Sequence, residues 1–364
     1  VRLEEEDDAA IYFSSGTTGF PKAILHNHES LSQAAQMEQK HHLTSRDDVF
    51  LCIPPLYHTG AKFHWMGSLY AGSKAVLLKG TTPEIILDAV SKEQCTIVWL
   101  LVPWAQDILA ALDRGDIKLE DYKLDQWRLM HIGAQPVPPS LIRRWKQYFP
   151  YHKYDTNYGL SESTGPGCVH LGLDNIDKVG SIGIPGYRWS CKIVDENGNE
   201  VKQGEVGELC VKGPGVMTCY YNDPKATAET LKNGWLYTGD MAMQDEDGFY
   251  FLVDRKKDVI VSGGENIYPK EVEDCIASLK QDVKQVCVLG MPDPVWGEQV
   301  TACIVLKEDS KLTEDDIVAW CKKHIASYKK PRKVIFFSQL PENANGKVSR
   351  ILLKDQIQKG EIRS

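Results

Sequence analysis

Short apolar runs alternate with amphipathic helical stretches along the first 160 residues of the chain. The apolar runs predict strands at Ala9–Phe13, Val49–Ile53, Lys74–Leu78, Thr96–Val102 and Arg128–Ile132. Helical patterns lie between them at Pro83–Glu93, Trp104–Leu112 and Pro139–Tyr148, and the first and last of these open with a proline suited to a first helical turn. Strands separated by helices are typical of a parallel sheet covered on both faces, so this part predicts an α/β fold.

The pattern changes twice further along the chain. After Gly180, turn pairs rich in Gly and Asn separate short β-rich runs such as Lys192–Asp195, Gly207–Lys212 and Phe249–Val253, with an Asp-Gly hairpin signal at residues 245–248. Beyond the charged segment at 254–258, two helical patterns and three strand patterns predict a small α+β unit. We expect an α/β domain over 1–179, a β-rich subdomain over 180–254 and a C-terminal α+β domain over 255–364.

Composition excludes some classes of protein. The chain has 364 residues with 42 Lys plus Arg against 50 Asp plus Glu, and this net charge of −8 argues against nucleic-acid binding. Ten cysteines form no C-x-x-C pair, so neither a zinc site nor a redox motif is indicated, and a reduced, cytoplasmic protein is expected. No apolar run approaches the roughly 20 residues needed to span a bilayer. The chain opens on Val1 rather than Met, and we expect it to be an N-terminally truncated part of a larger protein.

A loop rich in Gly, Ser and Thr follows the first strand. It runs Ser14-Ser15-Gly16-Thr17-Thr18-Gly19-Phe20-Pro21-Lys22. Backbone N–H groups and hydroxyls in such a loop can surround a polyphosphate while the lysine adds charge. The spacing is not that of a Walker A loop. A short Gly/Ser turn alone is more often only a turn, but nine residues of this composition behind a strand favour phosphate binding.

Six further motifs follow this loop in order. They are Pro54-Pro55-Leu56-Tyr57-His58-Thr59-Gly60, Gly133-Ala134-Gln135-Pro136, Tyr158-Gly159-Leu160-Ser161-Glu162, Tyr237-Thr238-Gly239-Asp240 with Asp254-Arg255-Lys256-Lys257-Asp258, Ser262-Gly263-Gly264-Glu265-Asn266, and Pro341 with Gly346-Lys347 and Arg350. Together with the loop they resemble the adenylate-forming superfamily, which includes acyl-CoA synthetases, luciferases and peptide-synthetase adenylation domains. The resemblance runs from about Ala9 to Arg350.

The resemblance implies an acid–thiol ligase that adenylates a carboxylic acid with ATP and Mg²⁺, releases pyrophosphate and passes the acyl group to CoA. Catalysis of phosphoryl transfer is largely positioning and charge stabilisation. By resemblance, Lys347 would bridge the substrate carboxylate and the α-phosphate, Ser161 would touch that phosphate and Glu162 would help hold Mg²⁺. The leaving phosphates would bind Thr17 and Thr18, with Thr17 also near the metal. The remaining phosphate-loop residues of this implied set are Ser14, Ser15, Gly16, Gly19 and Lys22.

Other motifs would bind the rest of the nucleotide and the thiol. By resemblance, Gly133, Ala134 and Gln135 line the adenine beside Tyr158 and Gly159, although Gln135-Pro136 departs from commoner versions of this turn. Asp240 and Arg255 would bind the ribose. The C-terminal domain would swing about Asp254, withdrawing Lys347 and presenting Gly263, Gly264 and Glu265 along the CoA tunnel, where glycines suit a close passage. The alternative interpretation is that these glycines form a turn with no functional role.

The acid-pocket segment bears on the substrate. His58 resembles the pocket-gating residue of acyl- and aryl-CoA synthetases, and Pro54–Gly60 contains no Asp to pair an amino-acid ammonium. An acid without an α-amino group is therefore favoured. The segment at His64-Trp65-Met66 is either a pocket wall or core, and the pair His26 and His28 has a loop or helix-start role rather than a metal role.

Three alternatives remain at this stage: an adenylation domain that loads a carrier protein, a luciferase-like oxygenase, and a nucleotide-binding fragment that is catalytically incomplete. The expected partners are a small carboxylic acid, ATP and CoA, with no nucleic acid and no transmembrane segment; the oligomeric state and the identity of the acid are not specified by the sequence.

Overall fold

Helices begin where proline or a short polar side chain satisfies the first turn. The structure, a computed structural model, describes residues 2–14, 21–56, 59–133, 137–165, 167–342 and 348–360. Asn27, Thr82, Thr313 and Ser349 each accept a backbone N–H of the helix that follows. The helices within the described residues are α1 His28–His41, α2 Thr59–Ala71, α3 Pro83–Glu93, α4 Val102–Arg114, α5 Pro139–Tyr148, α6 Pro224–Thr230, α7 Pro269–Ala277, α8 Glu314–His324 and α9 Arg350–Lys359.

Within the part of the chain that the structure describes, the strands form five sheets. In chain order they are β1 Asp8–Ser14, β2 Lys22–Asn27, β3 Val49–Cys52, β4 Lys74–Leu77, β5 Ile97–Leu101, β6 Leu129–Gly133, β7 Lys153–Asp155, β8 Asn157–Tyr158, β9 Val169–His170, β10 Ile184–Pro185, β11 Ser190–Val194, β12 Gly207–Lys212, β13 Cys219–Tyr220, β14 Leu231–Lys232, β15 Trp235–Gln244, β16 Tyr250–Arg255, β17 Ile260–Ser262, β18 Glu265–Ile267, β19 Val283–Asp293, β20 Gly297–Leu306 and β21 Lys333–Phe336.

A parallel sheet in the order β4-β3-β5-β6-β7 is the centre of the α/β part. Apolar side chains of β3, β5 and β6 pack with those of α3, α4 and α5 in one buried core, which includes Trp127 and Trp145. Such continuously apolar strands are expected where helices cover a parallel sheet. The prediction of an α/β fold followed by β-rich and α+β parts is confirmed.

One strand was assigned to the wrong sheet. The pattern placed Ala9–Phe13 among the parallel strands, but β1 pairs antiparallel with β2, and β13 completes this three-stranded sheet. The physical reason is the connection, because Ser14 is the register partner of Lys22 and the chain returns directly as a hairpin. A parallel neighbour needs a longer crossover, usually a helix.

The chain divides into two compact units. The N-terminal unit comprises Val1–Thr238 with Ala242–Leu252, and the C-terminal unit comprises Gly239–Met241 with Val253–Ser364. In the C-terminal unit, α7 and α8 cover one face of the sheet β18-β17-β20-β19, with β21 parallel to β20. Within the residues that the structure describes, no helix has the length and apolar character needed to cross a bilayer.

Candidate active site

The ends of the Gly/Ser/Thr loop are held by the β1–β2 hairpin. Ser14 and Lys22 face each other as register partners, so the loop leaves and re-enters the sheet at neighbouring positions. The Nζ atom of Lys22 lies 4.4 Å from the centroid of the Tyr220 ring, which belongs to β13 on the other side of β2. A cation over an aromatic face is attracted by the ring quadrupole. The predicted phosphate residues Ser15, Gly16, Thr17, Thr18 and Gly19 lie outside the described residues.

Glu162 lies in a single 3-10 turn, Ser161–Ser163, beside this hairpin. Its Oε1 atom accepts a hydrogen bond of 2.9 Å from the Tyr220 hydroxyl, and its backbone carbonyl accepts one of 2.8 Å from Met217 N. Burial and the adjacent Glu162 carboxylate raise the pKa of Tyr220, so the hydroxyl stays protonated and donates. Tyr220 therefore links Lys22 and Glu162, which come from different motifs.

His26 holds the 3-10 turn Ser161–Ser163 through a hydrogen bond. Its Nε2 atom donates to the Ser161 carbonyl oxygen at 2.8 Å, and its Nδ1 atom lies 3.3 Å from the Ser30 hydroxyl. Burial lowers the pKa of His26 to about 4, against the opposing effect of the Ser161 carbonyl, so the ring is neutral at pH 7. Tyr220 was missed by sequence reasoning. His26 was assigned a loop or helix-start role, and its contact with Ser30 is at the start of α1, but its hydrogen bond to the Ser161 turn was not expected.

Residues predicted to line the adenine lie at the ends of two strands. Gly133 is the last residue of β6, and a Cβ atom there would lie 3.6 Å from the side-chain Oδ1 of Asn157, in β8. Tyr158 ends β8 and is buried, and Gly159 follows it. The structure thus brings Gly133 close to the start of the Tyr158–Glu162 motif. Ala134 and Gln135 lie outside the described residues.

The predicted ribose residues form an ion pair within the C-terminal unit. The Nε atom of Arg255 lies 2.7 Å from Oδ1 of Asp240, whose carboxylate is almost fully buried while the arginine side chain is about half exposed. Asp240 lies on β15 and Arg255 ends β16, which pairs with β15. A carboxylate acceptor beside a guanidinium donor is suited to hydroxyl groups of a sugar.

The expected hinge residue is part of a helix start. Asp254 accepts the backbone N–H of Arg255 at 2.7 Å and that of Lys270, in the first turn of α7, at 2.8 Å. Burial raises the pKa of its carboxyl group, with the two backbone N–H groups acting in the opposite direction. Asp254 is thereby tied to the N-terminus of α7.

The predicted thiol-tunnel segment is a two-residue hairpin turn between β17 and β18. Gly263 and Gly264 have φ of +61° and +86°, which this type of turn requires at both positions. A Cβ atom on Gly263 would lie 2.8 Å from the Trp296 ring, whereas one on Gly264 would meet no atom within 4 Å. Glu265 is exposed next to the turn. The guanidinium carbon of Arg332 lies 3.7 Å from the Trp296 ring centroid, so this turn adjoins a cationic side chain.

Two predicted catalytic residues, His58 and Lys347, lie outside the described residues. Arg350, three positions after Lys347, is described: its Nη2 atom lies 2.6 Å from Oε1 of Glu273 on α7, and its Nη1 atom 3.6 Å from Oδ2 of Asp258. These pairs hold the first residue of α9 against Glu273 and Asp258.

Comparisons with known proteins identify the family of the chain. Residues 1–221 match the family model of the AMP-binding enzyme, and residues 271–347 match that of the AMP-binding enzyme C-terminal domain. A feruloyl-CoA synthase of Amycolatopsis sp is 34% identical over 360 residues, covering 98% of this chain and 70% of that protein. The medium/long-chain-fatty-acid–CoA ligase FadD8 of Mycobacterium tuberculosis is 34% identical over 375 residues, covering 100% of this chain and 63% of that protein.

Solved structures show the same fold. ATP-bound MatB from Rhodopseudomonas palustris matches with a TM-score of 0.88 at 28% identity, over 98% of this chain and 70% of that one. The o-succinylbenzoate CoA synthetase of Bacillus subtilis, in complex with its acyl-adenylate intermediate, matches with a TM-score of 0.86 at 30% identity, over 97% of this chain and 70% of that one. The chain therefore belongs to the AMP-binding enzyme family, among the acid–thiol ligases that adenylate a carboxylic acid with ATP and then form its CoA thioester.

Proposed function

We propose that this chain adenylates a carboxylic acid that lacks an α-amino group, using ATP with Mg²⁺, and transfers the acyl group to CoA in the cytoplasm. The ten cysteines are all unpaired, which accords with a reducing compartment. The observation that carries the proposal is the meeting of two motifs: the base of the Gly/Ser/Thr loop, at Lys22, and the carboxylate of Glu162 both contact Tyr220. A cation and a metal-binding carboxylate beside one loop are what a polyphosphate needs.

In the first step, a carboxylate oxygen of the acid attacks the α-phosphorus of ATP, and the bond to pyrophosphate breaks. Negative charge on the phosphoryl oxygens must be stabilised without water. We assign this work to Lys347, Lys22, Thr17 and Thr18, with the Ser161 hydroxyl on the α-phosphate. Two contacts support the assignment. Ser14 and Lys22 are register partners at the end of the β1–β2 hairpin, and His26 of the same hairpin donates a hydrogen bond to the Ser161 carbonyl oxygen. The two ends of the loop and the Ser161 turn are therefore attached to one hairpin.

The donor set at Glu162 fits Mg²⁺. A carboxylate oxygen is a hard ligand, and Mg²⁺ usually binds one or two carboxylates together with substrate phosphates. Tyr220 holds the carboxylate in place through Oε1. Thr17 is the second residue that we assign to the metal. When bound, Mg²⁺ would neutralise charge on the leaving pyrophosphate.

In the second step, the CoA thiolate attacks the acyl carbon and AMP leaves with its phosphate oxygen. We propose that the Gly263–Gly264 turn and Glu265 border the path of the pantetheine arm. Glycine has no side chain, and the positive φ values of Gly263 and Gly264 are those of a tight turn. A turn made of two glycines permits close approach of an extended chain. Asp240 and Arg255 would hold the ribose of AMP through both steps, supported by their ion pair of 2.7 Å.

The first experiment is ATP–pyrophosphate exchange by the 364-residue chain with a panel of fatty, aryl and amino acids, followed by thioester formation with CoA. We expect exchange with at least one acid that lacks an amino group, and thioester formation with the same acid. Absence of exchange with every acid contradicts the proposal. Exchange only with amino acids indicates a carrier-loading adenylation domain, and oxygen consumption with the acyl-adenylate indicates an oxygenase.

Lys347→Ala separates the two steps. Because the ammonium group acts on the phosphoryl transfer, we expect exchange to fall by at least about 100-fold, while thioester formation from supplied acyl-adenylate is retained. Lys354→Ala, a substitution on α9 seven positions later, is the matched control and leaves both rates unchanged. Equal loss of both rates in Lys347→Ala refutes this division of roles.

A further inference from the structure

A cluster of six ionisable side chains is buried in the N-terminal unit, apart from the motifs assigned above. Each is no more than 2% exposed, and burial of charged groups is costly unless they are paired or bind a metal. Its members are Glu38, His42, His64, His131, Asp155 and His170.

Helices and strands contribute to the cluster together. Glu38 lies on α1 and His42 ends it one turn later, so both lie on the same face. His64 comes from α2, which packs on α1, while His131 lies in the centre of β6 and His170 ends β9. The ligand-type atoms of Glu38, His42, His64 and His131 all lie within 4.8 Å of one another.

The half of the cluster around Asp155 is hydrogen-bonded except at His170 Nε2, which lies 3.4 Å from Glu38 Oε1 and has no hydrogen-bond partner among the described residues. Asp155 Oδ2 lies 3.0 Å from His42 Nε2 and 3.2 Å from His170 Nδ1, and Oδ1 accepts the Gly172 N–H at 2.8 Å. These hydrogen bonds satisfy the Asp155 carboxyl group and account for its burial.

The other half is not accounted for by hydrogen bonds. Glu38 Oε1 accepts a bond of 2.7 Å from Asn157, but Oε2 has no hydrogen-bond partner among the described residues, nor do His64 Nε2 and both ring nitrogens of His131. Buried polar atoms of native proteins are almost always paired, so a group of such atoms facing one another requires a reason.

The distances between Glu38 Oε2 and the histidine nitrogens give a reason for this grouping. Oε2 of Glu38 lies 3.6 Å from His42 Nε2, 3.6 Å from His64 Nε2 and 3.9 Å from His131 Nδ1. These separations exceed the 2.7–2.9 Å of a charge-assisted hydrogen bond. Four ligands at about 2.0–2.1 Å from one tetrahedral ion lie about 3.4 Å apart. A shared ion at the centre would require the ligand atoms to close in by at most about 1.4 Å.

We propose that Glu38, His42, His64 and His131 bind a divalent transition metal ion, which we identify as Zn²⁺. Three imidazole nitrogens with one carboxylate suit Zn²⁺ in tetrahedral geometry and are a poor match for Mg²⁺ or Ca²⁺, which prefer oxygen. The four ligands are buried and fill the coordination sphere, which is typical of a structural zinc site rather than a catalytic one.

Binding has a defined proton balance. Zn²⁺ takes the lone pair of His42 Nε2, so the proton that this nitrogen shares with Asp155 is released or moves to Nδ1. Asp155 retains His170 and the Gly172 N–H as donors. Glu38 binds as the carboxylate, so a proton held on its carboxyl group before binding is released to solvent.

The position of the site suggests what the ion stabilises. His131 precedes Gly133 by two residues on β6, and Asn157, which bonds Glu38, immediately precedes Tyr158. The ion would therefore join α1 and α2 to the strands that lead into the candidate adenine residues. This role concerns folding of the N-terminal unit and is separate from the Mg²⁺ site assigned to Glu162.

The test is metal analysis of the purified 364-residue chain after expression in zinc-supplemented medium and dialysis against a weak chelator. We expect about one Zn²⁺ per chain. Replacement by Co²⁺ is expected to give the intense visible bands of a tetrahedral site, and X-ray absorption at the zinc edge to report nitrogen-rich ligation. Wild-type chain without metal, and without a rise in Tm on addition of Zn²⁺ or Co²⁺, overturns the proposal.

Substitution identifies the ligands. His64→Gln and Glu38→Gln are expected to lower zinc affinity by at least about 100-fold and to abolish the Co²⁺ bands. His152→Gln is the matched control, because His152 is also a buried histidine of the N-terminal unit but lies outside the cluster, and it retains one ion. Equal zinc content in all three variants shows binding elsewhere and contradicts the assignment. If a ligand variant does not fold, the ligation spectra of the wild-type chain decide the question.

Discussion

Tyr220 contacts two groups of opposite charge that come from different motifs. The Lys22 ammonium lies over its ring, and the Glu162 carboxylate accepts a hydrogen bond from its hydroxyl. Neither contact uses Tyr220 as a chemical participant, so we regard it as a positioning residue. Its effect on the reaction is exerted through the orientation of Glu162.

Tyr220→Phe removes only the hydroxyl and keeps the ring under Lys22. Because a hydrogen bond to a charged group contributes about 1.5–3 kcal/mol, we expect the Mg²⁺ concentration for half-maximal exchange to rise about tenfold or more. The measurement is ATP–pyrophosphate exchange at fixed ATP with Mg²⁺ varied. Tyr221→Phe is the control, since Tyr221 is the exposed neighbour and its variant keeps the wild-type Mg²⁺ dependence. An unchanged Mg²⁺ curve in Tyr220→Phe would show that the bond does not orient the metal-binding carboxylate.

At the residue scale the sequence indicates candidate residues inside motifs, and it does not indicate the residues elsewhere in the chain that contact them. Lys22 and Glu162 were predicted because each lies in a recognisable segment. Tyr220 lies 58 positions from Glu162, so their hydrogen bond is a long-range contact that no local spacing marks. The buried cluster was missed for the same reason, since its ligands are separated by up to 93 positions, from Glu38 to His131 (131 − 38), and no local spacing marks them.

Helix α7 receives a side-chain cap from a residue distant in the chain. Its N-cap residue, Tyr268, makes no side-chain capping bond, and the Lys270 N–H is instead accepted by Asp254, 16 positions earlier. A carboxylate at this position also faces the positive end of the helix dipole. Asp254 thus couples the expected hinge segment to the first helix of the C-terminal unit.

Asp254→Ala removes an acceptor from two backbone N–H groups. We expect it to lower the free energy of unfolding of the C-terminal unit by about 1–2 kcal/mol, the usual cost of a lost N-cap. Denaturant unfolding followed by circular dichroism measures this cost. Asp309→Ala, an exposed substitution in the same unit, is expected to change the free energy by less than about 0.5 kcal/mol. A cost as small as that of the control would indicate that Asp254 does not stabilise α7.

Elements with strong local signals were predicted closely. The bounds of α3 and α5 match the sequence patterns, because each begins with a proline and has an apolar face on the core. No prediction was made for α1, since its buried face contains Glu38 and Gln39, which do not read as apolar. The sheet containing β1 was assigned wrongly because strand patterns do not report which strand is the partner.

At the scale of the whole molecule, acidic residues exceed basic ones while several histidines are buried and neutral. His152 is one of these: its Nδ1 atom accepts a bond of 3.3 Å from Trp145 Nε1, and Phe149 stacks on its ring. Burial and the nearby Lys146 lower the pKa of His152 to about 3. The net charge of −8 falls in magnitude as the pH falls toward the pI of about 5.7. Weaker charge repulsion then favours the folded state, while protonation of histidines that are buried in the folded state favours the unfolded state, and both effects occur over the same pH range.

The pH dependence of stability separates these effects. His152 has a lower pKa folded than unfolded, so between pH 6.5 and about 3 the unfolded chain binds the extra proton and stability falls with falling pH. The contribution reaches about 3 kcal/mol by pH 4, at about 1.4 kcal/mol per pH unit. Urea unfolding followed by tryptophan fluorescence reports it directly, because Trp127 and Trp145 both lie against His152.

His152→Phe is expected to be about 1 kcal/mol less stable at pH 7, because Trp145 loses its acceptor, yet to lose stability less steeply from pH 6.5 to 4. His324→Gln, at an exposed histidine of α8, keeps the wild-type slope for the N-terminal unit. Parallel pH profiles for wild type and His152→Phe would show that His152 takes up its proton without unfolding. Loss of stability in this range would then come from other buried groups, of which His26, with a pKa of about 4 under the Ser161 turn, is the first to examine by the same substitution.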